Sequence, residues 1–138
     1  MEQAMEREKP DHILHLGDGE RDIVHLAQRY PALPLAYVRG NCDYGSDAPE
    51  QRVFTLQNFK FFLCHGHRYG VKYDLLRLRL AAMELGADIC LFGHTHMPLC
   101  TQEGPLLLLN PGACSGRRPS YAILTLENGR VSVEIKYL

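Results

Sequence analysis

The 138-residue sequence has no tryptophan, no C-x-x-C cysteine pair and no apolar segment long enough to cross a membrane. Its longest leucine run, at 106–109, is far short of a membrane span. Lys and Arg number 15 against 16 Asp and Glu, a net charge of −1 that offers no basic surface for nucleic acid. These absences predict a protein with no membrane segment and no stable nucleic-acid complex.

The cysteine count is odd, and the charged N-terminal segment 1–9 lacks the pattern of a secretory signal. Both features argue against a disulfide framework and predict a cytoplasmic protein whose cysteines are mostly small buried side chains. Hydrophobic residues make up 46% of the chain and charged residues 22%, proportions typical of globular proteins. The length predicts one domain over residues 1–138.

Hydrophobic periodicity predicts an α/β protein in which helices and strands alternate before a run of strands follows. The predicted helices span 1–9, 21–30 and 73–85, and the predicted strands span 11–16, 34–38, 52–56, 60–64, 88–92, 99–101, 106–109, 121–126 and 131–137. Asn128-Gly129 is a strong hairpin signal. The alternating part predicts a largely parallel sheet, which the later hairpins either extend or cover as a second sheet.

Four polar clusters each follow a predicted strand: 17–18 (G-D), 40–43 (G-N-C-D), 65–67 (H-G-H) and 93–96 (G-H-T-H). Taken singly, a Gly-Asp pair is usually a turn, and a histidine pair is often an exposed loop. Parallel strands, however, bring their carboxyl ends to one edge of a sheet, where α/β proteins bind ligands. Oxygen and imidazole donors gathered there are typical of a divalent metal site.

Together with N-P-G at 110–112, this series resembles the calcineurin-like metallophosphoesterase superfamily, and within it the small bacterial and archaeal phosphodiesterases of the YfcE type. The resemblance covers nearly the whole chain from about residue 10. It implies an α/β/β/α sandwich, with two mixed sheets flanked by helices. It also implies phosphodiester hydrolysis by a metal-activated water, acting on a small phosphodiester or a nucleotide-like substrate.

The resemblance implies a role for each matching residue. Asp18 would bridge two divalent cations, and His96 would bind the first of them. The second cation's shell would be completed by three further residues, Asn41, His65 and His94. The catalytic set is then Asp18, Asn41, His65 and His94, and substrate contacts are implied for Asn41, His67 and Arg68. Manganese is the metal that the family implies, while nickel, iron and zinc also suit mixed oxygen and nitrogen ligands.

Several side chains near these motifs are open to two interpretations. His67 either contacts the phosphate or orients a ligand, or it is a loop residue. Arg68 either meets a phosphate oxygen or is solvated. Asp43 is interpreted as structural, as are His15 and His25, and His12 has no assigned role. Cys42 stands where many superfamily phosphatases carry a proton-donating histidine, so the general acid is unassigned and a phosphodiester substrate is favoured.

One family motif is missing: the first strand of these enzymes ends in D-x-H, which occurs nowhere in this sequence at the end of a predicted strand. We therefore expect one tightly bound cation and an incomplete second site, because only Asp18 and His96 would serve the first metal. We also expect either a rearrangement of the neighbouring strands or a homo-oligomer, a dimer by our interpretation, that covers the place of the missing strand. A misplaced start of the chain is the other explanation. The alternative function is a non-catalytic scaffold of the same fold, like the retromer subunit Vps29.

Overall fold

The computed structural model describes all 138 residues and contains three α-helices and nine β-strands. The helices are α1 (Glu2–Glu8), α2 (Glu20–Arg29) and α3 (Leu76–Glu84). The strands are β1 (Ile13–His15), β2 (Leu35–Tyr37), β3 (Gln51–Leu56), β4 (Phe59–Cys64), β5 (Ile89–Leu91), β6 (Leu99–Glu103), β7 (Leu106–Asn110), β8 (Ser120–Glu127) and β9 (Arg130–Tyr137). Every predicted element is present, and the predicted α/β fold class is confirmed.

The main sheet has five strands in the order β3-β4-β5-β7-β6. Its three central strands, β4, β5 and β7, run parallel, and the edge strands β3 and β6 are antiparallel to their neighbours. The parallel centre follows from the near-continuous apolar strands β5 and β7, which are buried on both faces. One later hairpin therefore extends the sheet through β6 and β7, while β8 and β9 form a separate sheet.

Two buried clusters lie on opposite faces of this sheet. On one face, α3 packs Leu78 and Ala82 against alternate residues of the strands, among them Phe62 and Leu108. On the other face, Phe61 and Leu91 meet apolar residues from β1, β2, β8 and β9 and from the loops that follow β1 and β2. Helix α3, the five-stranded sheet and the second strand layer therefore lie in the order expected for the first three layers of an α/β/β/α sandwich.

The second sheet layer differs from the prediction of one mixed sheet. It consists of the parallel strands β1 and β2 and the antiparallel hairpin β8–β9, which are not hydrogen-bonded to each other. β1 and β2 are only three residues long, so side-chain packing on the five-stranded sheet holds this layer together. The hairpin itself is as predicted, since Asn128 (φ 52°) and Gly129 (φ 71°) adopt the left-handed conformations that a tight hairpin turn requires.

The prediction of mostly buried cysteines is wrong. Cys64 and Cys90 are buried, and burial raises the pKa of the Cys64 thiol to about 12. The remaining three, Cys42, Cys100 and Cys114, are exposed because they lie on loops or on the edge strand β6. None of the three helices has the length and apolarity needed to cross a membrane.

Candidate metal centre

The polar clusters converge at one end of the two parallel strand pairs. Asp18 lies three residues after β1, and Asn41 lies four residues after β2. His65 directly follows β4, and His94 lies three residues after β5. Because the strands of each pair run parallel, their carboxyl ends bring these four side chains to the same edge of the fold.

His65 is the centre of the cluster and is 2% exposed. Its Nε2 atom lies 3.1 Å from Asn41 Oδ1, 3.1 Å from His94 Nδ1 and 3.2 Å from Asp18 Oδ2. The donor atoms of Asp18, His65 and His94 all lie within 4.8 Å of one another. Four side chains from four different loops therefore point their donor atoms at one small volume.

The hydrogen bonds of His65 show that this volume suits a cation. Its Nδ1–H donates to the Leu16 carbonyl at 2.6 Å, which leaves the lone pair on Nε2. That lone pair faces a carboxylate oxygen of Asp18 and an amide oxygen of Asn41, neither of which carries a proton. A divalent cation satisfies these oxygens and the imidazole together, so the donor set fits a metal with mixed oxygen and nitrogen ligands.

Three residues of the same loops have a strained backbone. Asp18 (φ 58°), His94 (φ 67°) and His96 (φ 60°) are among the few non-glycine residues with a left-handed backbone. Such conformations cost about 1–3 kcal/mol each and persist where the surrounding structure imposes them, typically at functional sites. Three of the strained residues therefore belong to the polar clusters.

Asp43 fixes the two loops that carry Asp18 and Asn41. One carboxylate oxygen accepts backbone N–H groups of Asp18 and Gly40 at 2.8 Å each, and the other accepts those of Gly19 and Glu20 at 2.9 and 3.1 Å. Burial alone would raise the pKa of Asp43, but the four hydrogen bonds to the charged form outweigh it and lower that pKa to about 2. The structural interpretation of Asp43 therefore has a direct geometric basis.

Asn110 fixes the loop that carries His94. Its buried amide donates to the Gly93 carbonyl at 3.1 Å and to Thr95 Oγ1 at 2.9 Å, while its oxygen accepts the Gly112 N–H at 2.9 Å. These bonds hold both residues that flank His94. The sequence marks Asn110 only as part of N-P-G, although an asparagine at the end of a leucine strand is a signal for a buried amide.

The imidazoles beside the cluster favour the neutral form. Burial, followed by the charge of Lys72 and by the neighbouring imidazoles, lowers the pKa of His94. Burial and the proximity of His65 likewise lower the pKa of His67. A neutral imidazole is the form that binds metals. Lys72, which the sequence motifs did not single out, therefore carries a positive charge that acts on His94.

The other predicted site residues lie around the cluster. His96 is exposed and makes no contact with the four donor atoms. The His67 ring is centred 5.4 Å from that of His65, and its Nδ1 atom is buried without a hydrogen-bond partner. The Arg68 side chain is 65% exposed and forms an ion pair with Glu50 at 2.6 Å. His96, His67 and Arg68 remain predictions as site residues.

Cys42 contacts the cluster through its backbone and its sulfur. Its N–H donates to Asp18 Oδ1 at 2.8 Å, which leaves the other oxygen, Oδ2, facing His65. The Asn41 amide donates to Cys42 Sγ at 3.4 Å. The charge of Asp18, followed by burial, raises the pKa of the thiol, so Cys42 stays protonated at neutral pH.

Gly40 lies so close to Asp18 that there is no space for a side chain at this position. A Cβ atom at this position would lie 2.0 Å from Asp18 Oδ1 and 2.6 Å from the Asp18 backbone nitrogen. We expect Gly40→Ala to displace the Asp18 carboxylate, to lose measurable Mn²⁺ affinity in calorimetric titration, and to cost about 1–3 kcal/mol of unfolding free energy.

Gly45→Ala is the matched control for this prediction. Gly45 has a left-handed backbone (φ 76°) and nothing within 4 Å of an added Cβ. This variant should lose about 1 kcal/mol of stability through backbone strain alone and keep its Mn²⁺ affinity. Equal Mn²⁺ affinity in Gly40→Ala and the wild type would contradict the expectation that the Asp18 carboxylate must keep its position to bind the metal.

Comparison with known proteins relates the chain to one family. Residues 1–129 match the model of the calcineurin-like phosphoesterase superfamily domain. The chain is 41% identical over 128 residues to the "Probable metallophosphoesterase YsnB" of Bacillus subtilis, covering 89% of this chain and 73% of that protein. It is 36% identical over 100 residues to the phosphodiesterase YfcE of Escherichia coli, covering 63% of this chain and 50% of that protein.

Solved structures show the same fold. A predicted phosphoesterase from Streptococcus pneumoniae superimposes with a TM-score of 0.83 and 31% identity, covering 99% of this chain and 80% of the other. A mutant Vps29 from Entamoeba histolytica superimposes with a TM-score of 0.75 and 25% identity, covering 92% of this chain and 82% of the other.

Proposed function

Because the chain belongs to the calcineurin-like phosphoesterase superfamily, we propose that it is a divalent-metal-dependent phosphodiesterase acting on small or nucleotide-like phosphodiesters. The observation that carries the proposal is the convergence of Asp18, Asn41 and His94 within 3.2 Å of His65 Nε2. When bound, a divalent cation supplies Lewis acidity toward phosphoryl oxygens and lowers the pKa of a water molecule. The relative named phosphodiesterase, YfcE, supports the substrate class.

In this proposal the chain's own residues hold and orient the cation. Asp18, Asn41, His65 and His94 supply two oxygen and two nitrogen donors. The Leu16 carbonyl keeps the proton of His65 on Nδ1, and Asp43 and Asn110 hold the donor loops in place. We propose one tightly bound cation at this point, with manganese as the metal, and a cytoplasmic location.

Substrate contacts are proposed for residues that border the cluster. Lys72 supplies a positive charge close to His94 and makes no ion pair with a carboxylate of the chain, so it is free to attract an anionic phosphodiester. Arg68, by contrast, shares Glu50 with Arg39, which lies 2.8 Å from the same carboxylate oxygen. Asn41 and His67 complete the proposed substrate contacts.

The test is turnover of bis-(p-nitrophenyl) phosphate by the purified chain with and without added Mn²⁺. We expect hydrolysis that requires the metal and that falls about 10³-fold or more in Asp18→Asn, since the amide removes the one carboxylate of the cluster. Asp22→Asn is the matched control, because Asp22 lies in the first turn of α2, outside the four-residue cluster. Its turnover should equal that of the wild type.

The same experiment separates catalysis from the scaffold function suggested by the likeness to Vps29. A chain that binds Mn²⁺ but shows no turnover above Asp18→Asn would contradict the phosphodiesterase proposal and favour a binding role. Mn²⁺-dependent turnover that is equal in Asp18→Asn and in the wild type would show that hydrolysis does not occur at this cluster.

A further inference from the structure

Helix α3 has apolar side chains on its exposed outer side as well as on the side that packs against the protein. Its inner side, including Leu78 and Ala82, is buried against the five-stranded sheet. Its outer side carries Leu76, Leu80 and Met83, which are 50%, 53% and 58% exposed. The broad apolar pattern seen in the sequence is therefore divided between the core and the surface.

These exposed side chains form one continuous row. Leu76, Leu80 and Met83 are four and three residues apart, the spacing that aligns side chains along one face of a helix. Tyr73, in the turn before the helix, is also exposed but lies outside the helical spacing. We call Leu76, Leu80 and Met83 the α3 row. Such a row has the alternating three- and four-residue spacing of helices that pack against another helix.

Two charges of opposite sign flank the α3 row on one side. Arg77 and Glu84 are both exposed, follow Leu76 and Met83 directly and are seven residues apart. Positions seven apart lie on nearly the same side of a helix but about 10 Å from each other along it. Neither side chain forms an ion pair or side-chain hydrogen bond within the chain. The third charged residue of this helix, Arg79, is already paired with Glu103.

This arrangement is self-complementary under a two-fold axis. If a second α3 helix runs antiparallel and crosses near Leu80, residue 77 of one helix lies opposite residue 84 of the other. Arg77 then faces Glu84 of the second copy twice, Leu80 lies beside its own counterpart next to the axis, and Leu76 is offset from Met83 by two residues, about 3 Å along the helix. In a parallel two-fold pair the charged flanks of the two helices lie on opposite sides of the contact, so Arg77 and Glu84 would not meet.

We propose that the α3 row is a homodimer interface at which a second copy of this chain packs antiparallel through its own α3 helix. Burial of the exposed apolar side chains supplies the driving force, and the two Arg77–Glu84 contacts set the orientation. A nine-residue helix offers a small contact area, in the class of interfaces below about 1,200 Å² in total, so we expect a concentration-dependent dimer in the micromolar range. The inference is independent of the proposed hydrolysis.

The test is sedimentation velocity over a concentration series from about 1 to 500 µM, with variants of the interface. We expect the wild type to change from monomer to dimer over this range. Leu80→Glu should raise the dimer dissociation constant at least tenfold, because it places two carboxylates at the two-fold axis. Circular dichroism should show an unchanged fold, since Leu80 is on the surface.

Charge reversal tests the orientation directly. Arg77→Glu should weaken the dimer about tenfold, because it places a second carboxylate against Glu84 at both contacts. Adding Glu84→Arg to this variant should restore the wild-type constant within about threefold. Residues 77 and 84 are too far apart along one helix to contact each other within a chain. Restoration by the double variant would therefore require a contact between two chains. A wild type that stays monomeric at about 500 µM, or a dimer that these variants leave unchanged, would overturn the proposal.

Discussion

We expect His65→Asn to abolish Mn²⁺ binding and metal-dependent turnover while the protein stays folded. The asparagine amide reaches about as far as Nδ1 of histidine, so it can still donate to the Leu16 carbonyl at the position that His65 Nδ1 occupies. It cannot replace Nε2, the atom on which Asp18, Asn41 and His94 converge. Removing this one donor should lower metal affinity by about 100-fold or more and turnover about 10³-fold.

Calorimetric titration with Mn²⁺ measures the first effect, and bis-(p-nitrophenyl) phosphate hydrolysis measures the second. His25→Asn is the control, because His25 lies exposed on α2 and contacts only Glu2 at 3.1 Å. That variant should match the wild type in both assays. A His65→Asn protein with wild-type Mn²⁺ affinity would show that the metal binds elsewhere.

The second large effect is expected at Asp43. Asp43→Ala should cost about 3 kcal/mol of unfolding free energy, because it leaves four backbone N–H groups in two packed loops without their acceptor. The loops of Asp18 and Asn41 would lose their common anchor, so Mn²⁺ affinity should fall as well. Urea unfolding at pH 7 measures the stability, with Asp47→Ala, an exposed carboxylate of the same loop, as the control.

The pH dependence of Asp43 follows from its lowered pKa. The folded value is about 2 against an ordinary value of 3.8, so the carboxylate stabilises the folded state above about pH 4, by roughly 2 kcal/mol. That contribution is lost as the pH falls from about 4 toward 2, where the folded protein also takes up the proton. The stability difference between wild type and Asp43→Asn should therefore shrink as the pH falls from about 4 toward 2. A constant difference would contradict this assignment.

The helices and strands could be predicted from the sequence because their signals are local. Apolar spacing, Pro31 after α2, Gly86 after α3 and Asn128-Gly129 all act within a few residues of the element they bound. The helix predicted over 73–85 begins three residues later, at Leu76, where the Asp74 side chain accepts its backbone N–H at 2.9 Å. The β8–β9 pairing could be predicted from its turn, but the position of β1–β2 and of β8–β9 on the five-stranded sheet could not, because packing across the fold sets it.

The family, the α/β class and the polar residues at the strand ends could be predicted from the sequence alone, since motifs and periodicity lie along the chain. Which donor atoms meet depends on the packed fold, because their contacts join residues far apart in sequence. His65 is hydrogen-bonded to Leu16, 49 residues away in the sequence, and Asp43 is hydrogen-bonded to Asp18, 25 residues away. The exposure of His96 and the uncovered outer face of α3 depend in the same way on how the chain packs, which no local pattern encodes.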